Sequence, residues 1–207
     1  MILLNGPNTP FGRMTLATAH ELNLDVDNKI INVFEAEVLD AINPLRQIPT
    51  LLFDGGTMLC DSRVICSYFC SLRPGRGLSP VDDRWDVQTR WWLALGLMEA
   101  SVGRVMELLR PEPQRSPAFI EKCDRRIRNV VAKLESFSEE ICTPDARVDR
   151  LATAIALEYI DFRHLGEWRK DAPQLATWLE RETLRPSLVA SRPRERRPSD
   201  PSTFADH

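Results

Sequence analysis

The rhythm of apolar positions changes part-way along the chain. Ile2-Leu3-Leu4 is a short unbroken apolar run stopped by Asn5-Gly6-Pro7, the pattern of a buried strand. Thr9-Pro10 reads as an N-cap followed by proline at the first helical position. Phe11, Met14, Leu16, Ala17, Ala19 and Leu22 follow at three- and four-residue spacing, which predicts a helix over 10–22. The β-branched run 29–34 predicts a second strand, and 36–42 a short helix that Asn43-Pro44-Leu45 stops. Residues 50–53 and 57–60 flank Asp54-Gly55-Gly56, a hairpin signal, because these turn residues tolerate positive φ. Asp61-Ser62 ahead of Val64, Ile65, Tyr68, Phe69 and Leu72 predicts a capped helix over 62–72. The order is βαβ, hairpin, helix: a compact α/β unit of about 75 residues.

Beyond a Gly/Pro-rich linker at 73–80 the strand patterns cease. In 81–109 the apolar set Trp85, Trp91, Trp92, Leu95, Met98, Val102, Val105, Met106 and Leu109 recurs every three or four residues, and 119–141 repeats the pattern. Two further helices are expected over 147–163 and 172–185. Each amphipathic stripe must be covered, so the second half reads as a helical bundle. The expected organisation is an α/β domain at 1–74, an all-helical domain at 80–190, and a tail at 191–207. Its mixture of prolines, arginines and acids predicts disorder.

The 207 residues, 43% apolar and 28% charged, describe an ordinary globular chain. A net charge of −3 argues against nucleic-acid binding through bulk charge. No apolar run approaches the roughly 18–20 residues of a membrane span, and the N-terminus lacks the basic and apolar regions of a signal peptide. Five cysteines without CxxC spacing, beside three histidines, predict neither a disulfide scaffold nor a zinc site. Reduced thiols in a cytoplasmic protein are the expectation. His20 and His164 read as surface or half-buried groups, and Arg125-Arg126-Ile127-Arg128 as a solvated helix face.

Four segments, in order, make the architecture specific. Thr9-Pro10-Phe11-Gly12-Arg13, the run Asn43-Pro44-Leu45-Arg46-Gln47-Ile48-Pro49-Thr50-Leu51, Leu59-Cys60-Asp61-Ser62-Arg63-Val64-Ile65 and Leu157-Glu158-Tyr159-Ile160-Asp161-Phe162-Arg163 resemble the glutathione transferase family. The closest likeness is to bacterial members with an S-P-F-x-R opening. The resemblance covers about residues 1–188. It implies an N-terminal thioredoxin-like βαβ-ββα domain followed by a C-terminal helical bundle, glutathione as co-substrate without a metal, and a homodimer.

The family's task is to make the glutathione thiol nucleophilic. A free thiol, with a pKa of about 8.5, is mostly protonated at neutral pH. Thr9 stands where the family's opening has serine, at a helix N-terminus. It could stabilise thiolate through its hydroxyl and the helix dipole, or act only as an N-cap. Asn8 is the alternative donor. The resemblance makes Ile48-Pro49 a cis peptide that presents the Ile48 backbone to the cysteinyl part of glutathione; an ordinary trans turn is the other reading. Asp61-Ser62 resembles the pair that holds the γ-glutamyl end, and the same two residues could merely cap their helix. Gln47 and Arg46 could reach a glutathione carboxylate, although Arg46 stands where many relatives have glycine. The family lines its second-substrate pocket with the first long helix of the bundle. That points to Phe11, Trp91, Leu95 and Met98, with Met106, against an apolar electrophile; core packing is the other reading for the tryptophan. Asp149 matches the third position of a helix-capping box whose first position is here Ala146, so Asp145 or Thr143 would have to cap instead. The function implied is glutathione transfer to an electrophile. A glutathione-binding or interaction module of the same fold, or a glutathione-dependent ether-cleaving lyase, are the alternatives.

Overall fold

A computed structural model describes residues 1–33, 37–76, 78 and 84–194. They form two compact units. The first takes the described residues up to 78 together with 190–194, and the second those from 84 to 189.

The first unit carries β1 (Ile2–Asn5), α1 (Pro10–Glu21), β2 (Asp27–Ile30), α2 (Val38–Ile42), β3 (Thr50–Leu52), β4 (Met58–Cys60) and α3 (Ser62–Ser71). The sheet order is β2-β1-β3-β4, with β1 parallel to β2 and the other neighbours antiparallel. This is the expected thioredoxin-like arrangement. A parallel pair needs the α1 crossover, and an antiparallel pair needs only the Asp54-Gly55-Gly56 turn. Both glycines have positive φ, 90° and 85°, which the turn requires. The second strand begins earlier than its β-branched run suggests. Asp27–Ile30 pairs with Ile2–Asn5, the Ile31 N–H still donates to the Asn5 carbonyl at 2.8 Å, and β1 then meets Gly6-Pro7, so the ladder ends there; Phe34 lies outside the described residues. Leu3, Leu4, Met14, Leu22, Leu51, Ile65 and Phe69 form the core, with α1 packed on α3. At that contact the Thr18 hydroxyl donates to the Met14 carbonyl (2.8 Å) and lies 3.4 Å from the Cys66 Sγ.

The second unit contains α4 (Trp85–Leu109), α5 (Pro117–Glu135), α6 (Ser138–Ile141), α7 (Val148–Phe162), α8 (Pro173–Glu182) and α9 (Pro186–Ala190), whose last residue passes into the first unit. α4 packs on both α5 and α7. The helix expected over 119–141 is two, broken at Ser136-Phe137. There the Ser136 hydroxyl donates to the Lys133 carbonyl, competing with the helical ladder. α7 is buried along most of its length. Its first turn holds Asp149, fully buried, which accepts from Arg90 Nε (2.8 Å), Arg147 Nε (2.7 Å) and Arg147 Nη2 (3.0 Å). Arg90, itself 2% exposed, also donates to Asp86 at 3.0 Å. Neither Thr143 nor Asp145 caps α7: Thr143 donates to Asp145, and Asp145 pairs with Arg150. α7 has no side-chain cap, and the carboxylate in its first turn accepts from arginine side chains instead.

Candidate functional site

The register of the sheet gathers one end of the first unit. Leu4 of β1 lies opposite Thr50 of β3, and Thr50 opposite Cys60 of β4. The exit of β1, the entrance of β3 and the exit of β4 therefore meet at one edge. The segments there are Asn8-Thr9, Gln47-Ile48-Pro49 and Asp61-Ser62. Two helices, α1 and α3, begin at the same edge and turn their N–H ends toward it, a field that favours anions.

Thr9 occupies the N-cap position of α1, with φ −72° and ψ 128°. Its carbonyl accepts from Arg13 N at 3.0 Å, but its side chain makes no capping bond. The hydroxyl is therefore not engaged by its own helix. The Thr9 methyl faces Gly6, where an added Cβ would lie 3.5 Å from it and 2.8 Å from Ile48 Cδ1. Gly6 thus brings the β1–α1 loop against the Ile48 side chain, whose Cδ1 would have to shift to admit a Cβ there. Asn8, the alternative donor, accepts through its Oδ1 from the Arg194 backbone N–H at 3.0 Å.

The Ile48–Pro49 peptide is cis. Ile48 enters no backbone hydrogen bond among the described residues. The loop before it is built on buried Asn43, which donates to Gln47 O (3.1 Å) and Thr50 Oγ1 (2.9 Å) and accepts from Leu45 N (3.0 Å). Arg46 has φ +51°, a backbone state that glycine reaches freely and other residues at a cost of about 1–2 kcal/mol. The Arg46 guanidinium leans back to Asp40 (Nε to Oδ1 3.3 Å).

Asp61 caps α3: its Oδ1 accepts from Arg63 N at 2.7 Å. Its φ of +73° with ψ 129° lies outside the regions that L-residues favour. The carboxylate is exposed, so one oxygen remains for another partner, and Ser62 beside it is buried. Both readings of the pair are compatible with this geometry.

Trp91, Leu95 and Met98 are 2%, 5% and 0% exposed and belong to the inner face of α4. Side chains so buried pack the bundle, and the placement offers no open apolar wall built from them. Met106 and Phe11 are half-buried. His20 and His164 are exposed. Burial pushes the Cys66 thiol well up and Cys70 up to about 11, so neither supplies a thiolate near neutral pH. Among the described residues no group of three or more His, Cys, Asp and Glu could hold a metal ion.

Residues 4–77 match the family described as glutathione S-transferase, N-terminal domain. A solved glutathione transferase family member from Pseudomonas fluorescens Pf-5, with bound glutathione, is 34% identical. The match covers 93% of this chain and 98% of that one, with a TM-score of 0.85. The chain belongs to the glutathione transferase family. A family member from the same strain with bound S-(propanoic acid)-glutathione is 33% identical, over 94% of this chain and 100% of that one, with a TM-score of 0.81. A glutathione S-transferase from Methylobacillus flagellatus KT with glutathione bound is 28% identical, over 93% and 99%, with a TM-score of 0.85. No curated protein matches.

In this glutathione transferase family member, the residues that shape the candidate site include several to which the sequence motifs assign no role of their own. Buried Asn5 accepts from Gly6 N at 2.8 Å and donates to Asn28 at 3.2 Å. A Cβ on Gly12 would lie 1.6 Å from Asn5 Oδ1, so only glycine fits there. Asn43 and Thr50 do the corresponding work for the β3 entrance. In sequence Asn5-Gly6-Pro7 reads as a strand stop, and Asn43-Pro44 as a helix stop that opens a family motif. Their buried amides are visible only once the strands are paired.

Proposed function

We propose that this chain is a glutathione transferase in which Thr9 stabilises the glutathione thiolate for attack on an electrophile. The observation that carries the reading is a helix-initiating hydroxyl that does not cap its own helix. Lowering the thiol pKa by one unit needs about 1.4 kcal/mol of preferential thiolate stabilisation. A hydrogen bond to a charged sulfur and a helix N-terminus each contribute on that order. The Ile48 backbone N–H and C=O pair with the cysteinyl residue, and Asp61 with Ser62 hold the γ-glutamyl end. Asp61 has an oxygen left for the ammonium, while Ser62 and the α3 N–H groups take the carboxylate. Gln47 lies on the same edge. Arg46 does not take part, because it is turned to Asp40. Glutathione bound in the 34% and 28% identical relatives supports the ligand, and the S-conjugate in the 33% identical one supports a thioether product.

A homodimer belongs to the same reading. Trp85 and Trp92, 71% and 56% exposed and seven residues apart on α4, form an apolar stripe that a second copy would cover. The protein acts in the cytoplasm on this reading. No described helix is long and apolar enough to cross a membrane, and the five cysteines are free. The burial of Trp91, Leu95 and Met98 favours a second reading, in which the protein binds glutathione without useful turnover. Wild type and Thr9→Ala assayed on an aryl halide, a peroxide and an aryl ether separate the two. Turnover that collapses in Thr9→Ala supports the transferase. Binding without turnover on any of them supports the module.

A further inference from the structure

Residues 190–194 pack within the first unit, against the loop that carries Thr9. The Arg194 backbone N–H donates to Asn8 Oδ1 at 3.0 Å, joining positions 186 apart in sequence. Segment and loop together wall a cavity of about 190 Å³, to which Asn8, Thr9, Arg13, Asn28, Arg192 and Arg194 contribute. The loop is otherwise tied at its ends. Gly6 N donates to the Asn5 side chain, and the Thr9 carbonyl accepts from Arg13 N. Pro7 has no N–H to give. Asn8, in the middle, is held from outside by the Arg194 amide.

We infer that residues 190–194 are a strap over the β1–α1 loop, and that Asn8 is a positioning residue holding the Thr9 hydroxyl in place through the Arg194 N–H. This rests on the reading of Thr9 as the thiol's donor, and it takes Asn8 out of contact with the thiol. The bond uses the backbone N–H of residue 194, so a side-chain change that keeps the N–H keeps this bond.

The test uses the full chain. Arg194→Pro deletes the N–H, and Arg194→Ala keeps it. Two readouts are compared: 15N order parameters at Asn8 and Thr9 without ligand, and glutathione affinity by calorimetry. In Arg194→Pro the order parameters fall from about 0.85 toward about 0.6. The glutathione Kd rises about 3- to 10-fold, the size of one net hydrogen bond. Arg194→Ala keeps the N–H, so on both readouts it stays closer to wild type than Arg194→Pro does. Asn8→Ala reproduces Arg194→Pro, and the double variant is no worse than either, because both remove the same bond. A chain ending at Val189 loses order at Asn8 and Thr9, and glutathione affinity, at least as far as Arg194→Pro does, which covers the case of a proline that disturbs folding. Unchanged order parameters in Arg194→Pro, or additive losses in the double variant, overturn the strap. A wild type that binds no glutathione overturns the Thr9 reading instead, and the order parameters still decide the strap.

Discussion

The two units treat their polar groups in opposite ways. In the helical unit Asp149 is fully buried and accepts three hydrogen bonds from Arg90 and Arg147, and Arg90 reaches on to Asp86. The charges face one another, and their work is to hold α4 against α7. At the sheet edge of the first unit the Thr9 hydroxyl makes no capping bond, the Ile48 backbone pairs with no described residue, and Asp61 keeps one oxygen beyond its cap. A buried network that satisfies itself has nothing left for a ligand, whereas strand-to-helix turns that leave donors and acceptors open have. The comparison teaches where to look for chemistry: where polar groups are well placed and unengaged, rather than where they are most numerous.

The largest effect is expected where the network is cut. Asp149→Ala removes the buried carboxylate that Arg90 and Arg147 share, leaving buried Arg90 only Asp86 as an ion-pair partner, and should cost about 3–5 kcal/mol of stability, read as a lowered urea midpoint of the helical unit. A loss under about 1 kcal/mol would mean the charges are solvated and the contrast is false. Next is Thr9→Ala. It should leave the urea midpoint within about 0.5 kcal/mol, since no cap is lost, while turnover on a reactive aryl halide falls about ten- to a hundredfold. A stability loss with turnover intact would make Thr9 structural.

Asp61 joins the two kinds of polar group in one residue, and its variants separate them. Asp61→Asn keeps the acceptor for Arg63 N and removes the charge, so glutathione affinity should drop about tenfold with stability nearly unchanged. Asp61→Ala should lose both affinity and about 1 kcal/mol of cap. Equal affinity in Asp61→Asn would remove the ammonium from the account.

The thiols give the comparison a pH axis. Folded Cys70 keeps its proton up to about 11, held by burial, against an ordinary 9.0. Above pH 9 the unfolded chain binds fewer protons than the folded one, so stability falls as pH rises from about 9 toward 11. The urea midpoint of wild type should decline more steeply over that range than that of Cys70→Ala. Parallel slopes would contradict a protonated thiol in the folded state. The smallest effect is reserved for Arg46→Ala, which should change glutathione affinity by less than about twofold, because the guanidinium pairs with Asp40 and both are exposed.

Much of the fold could be read from spacing. The hairpin glycines, the Pro at the start of α1 and the stripes of α4 and α7 each follow from a local rule, and the mixed sheet follows from their order. The second strand was misplaced because its partner decides its length: β1 has four residues to offer and then meets Gly6-Pro7. Residues 119–141 read as one helix because both halves keep the same apolar period, while the structure breaks it at Ser136-Phe137, where the Ser136 hydroxyl donates to the Lys133 carbonyl. Thr9, Ile48-Pro49 and Asp61-Ser62 are legible as the segments between elements that meet at one sheet end, while the roles proposed for them toward glutathione come from the family resemblance. Asn5, Gly12 and Asn43 are not legible, since their roles lie in distances between segments far apart in sequence: 1.6 Å from a Gly12 Cβ to Asn5 Oδ1, or Asn43 reaching Thr50. Trp91, Leu95 and Met98 look alike in sequence whether they line a pocket or fill a core, and the structure buries them.

The central claim is that the Thr9 end of the sheet turns glutathione into a thiolate. Its most direct test is an ultraviolet thiolate titration of glutathione bound to wild type and to Thr9→Ala. The account predicts a bound thiol pKa at least about one unit below that of free glutathione in wild type, and return toward the free value in Thr9→Ala. A bound thiol that titrates as free glutathione does, or a depression that survives in Thr9→Ala, would contradict it.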